Sequence, residues 1–179
     1  MLRLKLDVEI RNEIVYYNNG DFMKKKTVYG CLMVVWMIVI FCFSAQVADQ
    51  SQQTSDGILI KLFEFISISL KDYPSLWDTL SYMIRKVAHM SEYAVLAILC
   101  TLYIKEWSVK HPLWMGWLMA SFYACTDEFH QLFVAGRSGE VKDVMIDACG
   151  AIIGILFLLI CNSIRKRRDK KRGMSIGCE

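Results

Sequence analysis

The chain has 179 residues, of which 55% are hydrophobic, with a formal net charge of +3 and a mean hydropathy of +0.32. That apolar share exceeds what a soluble globular domain carries, so a lipid-embedded fold of one domain is the leading reading. Of the seven cysteines, Cys31, Cys42, Cys100, Cys125, Cys149 and Cys161 fall within or beside apolar runs with no CxxC spacing, which argues against a disulfide framework or thiolate metal site and for packing roles.

Residues 1–22 are mixed and polar, and are read as a cytoplasmic extension. Met23-Lys24-Lys25-Lys26 has the look of a natural start, so translation is expected to begin there as an alternative. The first span, about 27–45, is free of charge and long enough to cross the hydrocarbon at about 1.5 Å per residue. Because it lacks an A-x-A-like end, it reads as a retained span instead of a signal peptide.

The polar stretch Gln46–Gly57 is expected to be an irregular loop. Ile58–Leu70, densely apolar but too short to cross, is expected to lie as a helix at the outer interface; the alternation Ile66-Ser67-Ile68-Ser69-Leu70 leaves a strand open. Ser75 and Asp78, after Pro74, resemble an N-terminal capping pattern that leads into a second span at about 87–104. The third span, about 111–127, is short, and the fourth, about 144–162, is clear.

Lysines and arginines fix the orientation. Fifteen lie before the first span, in the Lys105–Pro112 loop or after Ile164, and only six in the other two loops. The positive-inside rule then places both termini in the cytoplasm. The predicted fold is all-α and polytopic: a membrane domain over 23–164, four transmembrane helices with the interfacial segment between the first two, and a basic cytoplasmic tail over 165–179. Arg165-Lys166-Arg167-Arg168 reads as a stop-transfer signal with affinity for anionic lipid, not as a nucleic-acid patch.

Ionisable groups inside a span cost at least ~2.5 kcal/mol on insertion scales, so they face the bundle interior and have a partner or a function. Arg85, His89 and Glu92 share one helix face at i, i+4 and i+7. Asp127 and Gln131 share another, beside Glu128. Asp143 and Asp147 share a third, and Arg137 sits in the turn-rich Gly136-Arg137-Ser138-Gly139. All are expected near the outer face, where they converge.

Three readings stay open for this cluster. It is a structural network in which Arg85 and Arg137 neutralise Glu92, Asp127, Glu128 and Asp147, or a binding site, or an acid–base centre using His89 with Glu92 or Asp127. His89-x-x-Glu92 and Glu128-x-His130 supply metal-type ligands, but no closed set follows from spacing, and neither metal nor cofactor is expected. Gly150-x-x-x-Gly154 is assigned to close helix packing. Trp107, Trp114, Trp117, Trp36 and Trp77 read mostly as membrane anchors.

Phe43-Ser44-Ala45-Gln46, Arg85-Lys86-Val87-Ala88-His89-Met90-Ser91-Glu92-Tyr93 and Thr126-Asp127-Glu128-Phe129-His130-Gln131-Leu132-Phe133, continuing through Gly136-Arg137 and Asp143 to Asp147 and Gly150, together resemble the VanZ-like membrane proteins. The resemblance spans most of the chain after residue 22. It implies a cell-envelope protein whose presence lowers susceptibility to teicoplanin-type glycopeptide antibiotics without remodelling the wall precursor, and it places either Asp or Asn at 147. The partners to expect are the bilayer and an envelope lipid, a lipid-linked wall precursor or the lipoglycopeptide itself. The alternative is a membrane enzyme acting on such a lipid.

Overall fold

The computed structural model describes the backbone of residues 2–65 and 74–176 and the side chains of residues 23–65 and 75–170. Five helices follow one another: α1 (Leu2–Ser44), α2 (Ala48–Phe65), α3 (Pro74–Lys105), α4 (Pro112–Gln131) and α5 (Val141–Ile176). Proline opens both α3 and α4, at a position whose N–H has no intrahelical acceptor.

Among the described residues three helices are long and apolar enough to cross a membrane: Met23–Ser44, Ser75–Lys105 and Val141–Lys170. Their large side chains are widely exposed, including Val35, Ile38, Ile153, Phe157 and Ile160. In water such a surface would be a liability; on a multi-pass membrane protein it is the lipid face. At 20 residues α4 has the length of a span, but Asp127, Glu128 and its Trp and Tyr side chains dilute its apolar character.

Helix α3 is the hub, in contact with α1, α2, α4 and α5. Its buried Tyr93, Leu96, Ala97 and Cys100 form the core with Ile40, Ala120, Ala124 and Ala151. Small residues let the backbones close up, as expected where lipid supplies no hydrophobic drive between helices. A Cβ built on Gly150 would stand 2.8 Å from the Met90 Cα, and one on Gly154 2.8 Å from the Ala94 Cα. Gly116 makes the equivalent approach to Thr101 between α4 and α3, a third contact that the GxxxG pattern does not reveal.

Several expectations need correction. The predicted irregular stretch Gln46–Gly57 is helical from Ala48 onward, because its polar side chains are spent on helix-to-helix bonds. Gln52 Nε2 donates to Ser81 Oγ at 2.9 Å, and Trp77 Nε1 to Asp56 Oδ1 at 3.2 Å. Ser51, Ser55 and Leu59 are buried. Ile58–Phe65 continues this helix, while Ile66–Leu70 and its strand alternative lie outside the described residues. Ser75 sits inside α3 and caps nothing; its carbonyl accepts from Thr79 Oγ1 at 2.9 Å. The helix α1 also extends without interruption through residues 2–22. Among the cysteines assigned to packing only Cys100 is buried; the other five described ones are exposed and none is paired.

Candidate functional site

The predicted polar residues come together where α1 ends, α4 ends and α5 begins, beside the first half of α3. The loop between α4 and α5 turns back at Gly136, whose φ of +74° suits glycine, and this carries Arg137 over the end of α1. Arg137 Nε donates to the Gln46 carbonyl at 3.0 Å and Nη1 to Gln131 Oε1 at 3.4 Å. The Ala48 N–H reaches the Ala135 carbonyl at 3.4 Å. The α1–α2 and α4–α5 connections are therefore stitched together over the site.

Beneath the stitch lies a cavity of about 180 Å³. Helix α3 contributes Arg85, Lys86 and His89 to its wall, α4 Glu128 and Gln131, the loop Arg137, and α5 Asp143 and Asp147. Glu92 and Asp127 are the two predicted residues that do not line it. Glu92 Oε2 stands 3.3 Å from His89 Nδ1, one turn deeper along α3. Asp127 is 3% exposed; it accepts from Gln131 Nε2 at 3.4 Å and faces the Ser44 and Tyr93 hydroxyls.

Charge pairing differs from the expected network. Lys86, not an arginine, pairs with Asp143. Arg85 donates to the neutral Gln52 Oε1 of α2, and its Nε has no partner. Among the described residues neither Arg85 nor Arg137 forms an ion pair with a carboxylate. Burial and the neighbouring Arg85 guanidinium hold the Arg137 pKa below the usual arginine value, yet a guanidinium stays protonated. Two cations thus face one cavity without a counter-charge in contact.

Two wall carboxylates, Glu128 and Asp147, form no ion pair among the described residues. Glu128 is 6% exposed and accepts the Glu140 N–H through Oε1 at 2.9 Å. Asp147 is 4% exposed and makes no hydrogen bond or ion pair among the described residues. His130 does not join Glu128: its ring packs edge-on to Phe41 with centroids 4.6 Å apart. Among the described residues no three His, Cys, Asp or Glu side chains are grouped to hold a metal ion.

Sequence reasoning missed Gln52, whose role depends on α2 being helical; Lys86, which it grouped with Arg85 and Arg137 as a cation able to meet phosphate or carboxylate, does line the wall. It also missed two side chains that tie α1 to the helices carrying the site. Trp36, read with the anchors, donates Nε1–H to the Glu92 carbonyl at 2.9 Å, and Tyr123 donates its hydroxyl to the Met37 carbonyl at 2.7 Å. The Phe43-Ser44-Ala45-Gln46 pattern was a usable signal, since Ser44 faces Asp127 and Gln46 receives Arg137.

A model of the VanZ/LLP1 family matches residues 29–162, which includes every residue of the cavity wall. No curated protein and no solved structure matches the chain.

Proposed function

The chain belongs to the VanZ/LLP1 family, and from that premise we propose that it is a four-span protein of the cell envelope that binds an anionic group at its cavity. In this reading α4 is the fourth crossing, both termini are cytoplasmic and the cavity lies just below the outer surface. The uneven lysine and arginine distribution supports the orientation. A membrane-impermeant thiol reagent should label Ser138→Cys on intact cells, and Arg168→Cys only after permeabilisation. The reverse pattern would invert the topology.

The observation that carries the binding reading is the pair of guanidiniums, Arg85 and Arg137, at the cavity wall with neutral partners only. A phosphate or carboxylate is the natural complement of such groups. Envelope lipids, lipid-linked wall precursors and lipoglycopeptides present these groups at the membrane surface. Occupation of the cavity by one of them is the proposed route to lower teicoplanin susceptibility. Arg137→Ala should weaken binding of a phospholipid about tenfold or more, the value of one charge-assisted contact. Unchanged affinity would sink the reading, and unchanged teicoplanin susceptibility on deletion would remove the antibiotic role.

One observation favours a second reading. His89 and Glu92 stand at acid–base distance, as a membrane enzyme acting on an envelope lipid would require. A product formed from labelled envelope lipids by the purified protein and lost in His89→Ala would put catalysis ahead of binding.

A further inference from the structure

We infer that the ligand of this cavity is a zwitterionic phospholipid headgroup, a phosphate diester bearing a primary ammonium, whose phosphate meets Arg85 and Arg137 and whose ammonium meets Glu128 and Asp147. This rests on the binding reading above and narrows it to one class of ligand.

The protein leaves several charges at the cavity unjoined. Once Lys86 and Asp143 have paired, the wall retains two cations, Arg85 and Arg137, and two carboxylates, Glu128 and Asp147. None of these four is in ion-pair contact with another among the described residues. The buried Asp147 has no hydrogen bond, and Glu128 uses one oxygen on the Glu140 N–H. His89, which faces Asp147, is engaged through Nδ1 by Glu92. Separated, unpaired charges are costly in a low-dielectric setting, and a ligand carrying both signs satisfies both sets together.

The same arrangement rejects simpler ligands. A plain anion drawn to the guanidiniums would sit beside two carboxylates, and a plain cation beside two guanidiniums, so each meets a like-charge penalty. A quaternary ammonium lacks the N–H donors that the carboxylate oxygens can accept. At position 147 an Asn would still offer an acceptor oxygen, so the ammonium contact does not depend on the charge of that residue alone.

Size and surroundings favour a lipid over a soluble amine phosphate. A volume of about 180 Å³ holds roughly six waters at ~30 Å³ each, the scale of a headgroup and not of an acyl chain. Tyr82 lines the cavity and is 50% exposed. With Ile146, which also lines the cavity, it adds apolar surface to the wall, against which acyl chains can lie.

Native mass spectrometry of the full chain in detergent tests this, with phosphatidylethanolamine, phosphatidylglycerol and phosphatidylcholine at equal concentration and O-phosphoethanolamine as the soluble probe. Phosphatidylethanolamine should be retained at least tenfold over both other lipids, with O-phosphoethanolamine far weaker. In Glu128→Gln/Asp147→Asn the ratio of phosphatidylethanolamine to phosphatidylglycerol should fall to within twofold of unity. Should that variant fail to fold, the three-lipid comparison on the wild-type chain decides alone. Equal or greater retention of phosphatidylglycerol would overturn the zwitterion inference and leave anion binding standing. O-phosphoethanolamine binding as tightly as the lipid would overturn the lipid source. Retention of every lipid no greater than in Arg85→Ala/Arg137→Ala would overturn both readings.

Discussion

Gly150→Ala/Gly154→Ala should lose about 3 kcal/mol of stability, read by unfolding in mixed detergent. The added methyl groups would stand 2.8 Å from the Met90 Cα and 2.8 Å from the Ala94 Cα, far inside the ~3.5 Å at which carbon atoms attract. The obstacles are backbone atoms, which have no rotamer to escape into. Relief therefore requires α3 and α5 to separate, and α3 holds every other helix. Overpacking of a well-fitted core costs about 1–3 kcal/mol per site, and two neighbouring sites forced apart together need not add independently. Gly57→Ala is the control: a Cβ there meets nothing within 4 Å, and helix propensity predicts a gain of up to ~1 kcal/mol. A double variant within 0.5 kcal/mol of wild type, on the same order as ordinary surface changes, would show that the two helices are not in fact locked by these glycines.

Arg85→Ala/Arg137→Ala should weaken binding of a phospholipid at the cavity by about 100-fold or more, since each contact to a charged group is worth ~1.5–3 kcal/mol and 1.4 kcal/mol is tenfold. Stability without ligand should move much less. The lost bonds go to neutral acceptors, Gln52, Gln46 and Gln131, and their cost of ~1 kcal/mol each is offset by removing the repulsion between the two guanidiniums. A purely structural role predicts the opposite pair of results. Breaking a buried ion network costs ~3–5 kcal/mol, and lipid binding would then be untouched. Measuring both quantities on one variant separates the two accounts.

The apolar helices were legible from the sequence because a lipid-facing helix is apolar all round, and the end of α1 and the start of α5 need no tertiary knowledge. The helical phase of Arg85 and His89, and of Asp143 and Asp147, was legible for the same local reason. What could not be read was partner choice. Arg85 reaches α2 and not Glu92, because α2 is a helix, and α2 looked irregular since its Ser, Gln and Asp side chains suit a loop as well as a helix packed on Ser81 and Trp77. Glu92 and Asp127 carry the same charge as the wall residues but sit behind the wall, a difference of depth that spacing along one helix does not report. Gly116 was invisible because its partner is a single Thr101 on another helix and forms no repeat.

The Arg137 guanidinium grips a carbonyl 91 positions earlier in the chain, and this sets an order of assembly. Until the loop after α4 has been made, the α1–α2 connection is held only through the packing of α1 and α2 on α3, and the cavity has no roof. Binding competence then comes late, only after the return loop has closed over Gln46 and α5 has supplied Asp143 and Asp147 to the wall. A product that stops before residue 137 would lack both that roof and the α5 part of the wall.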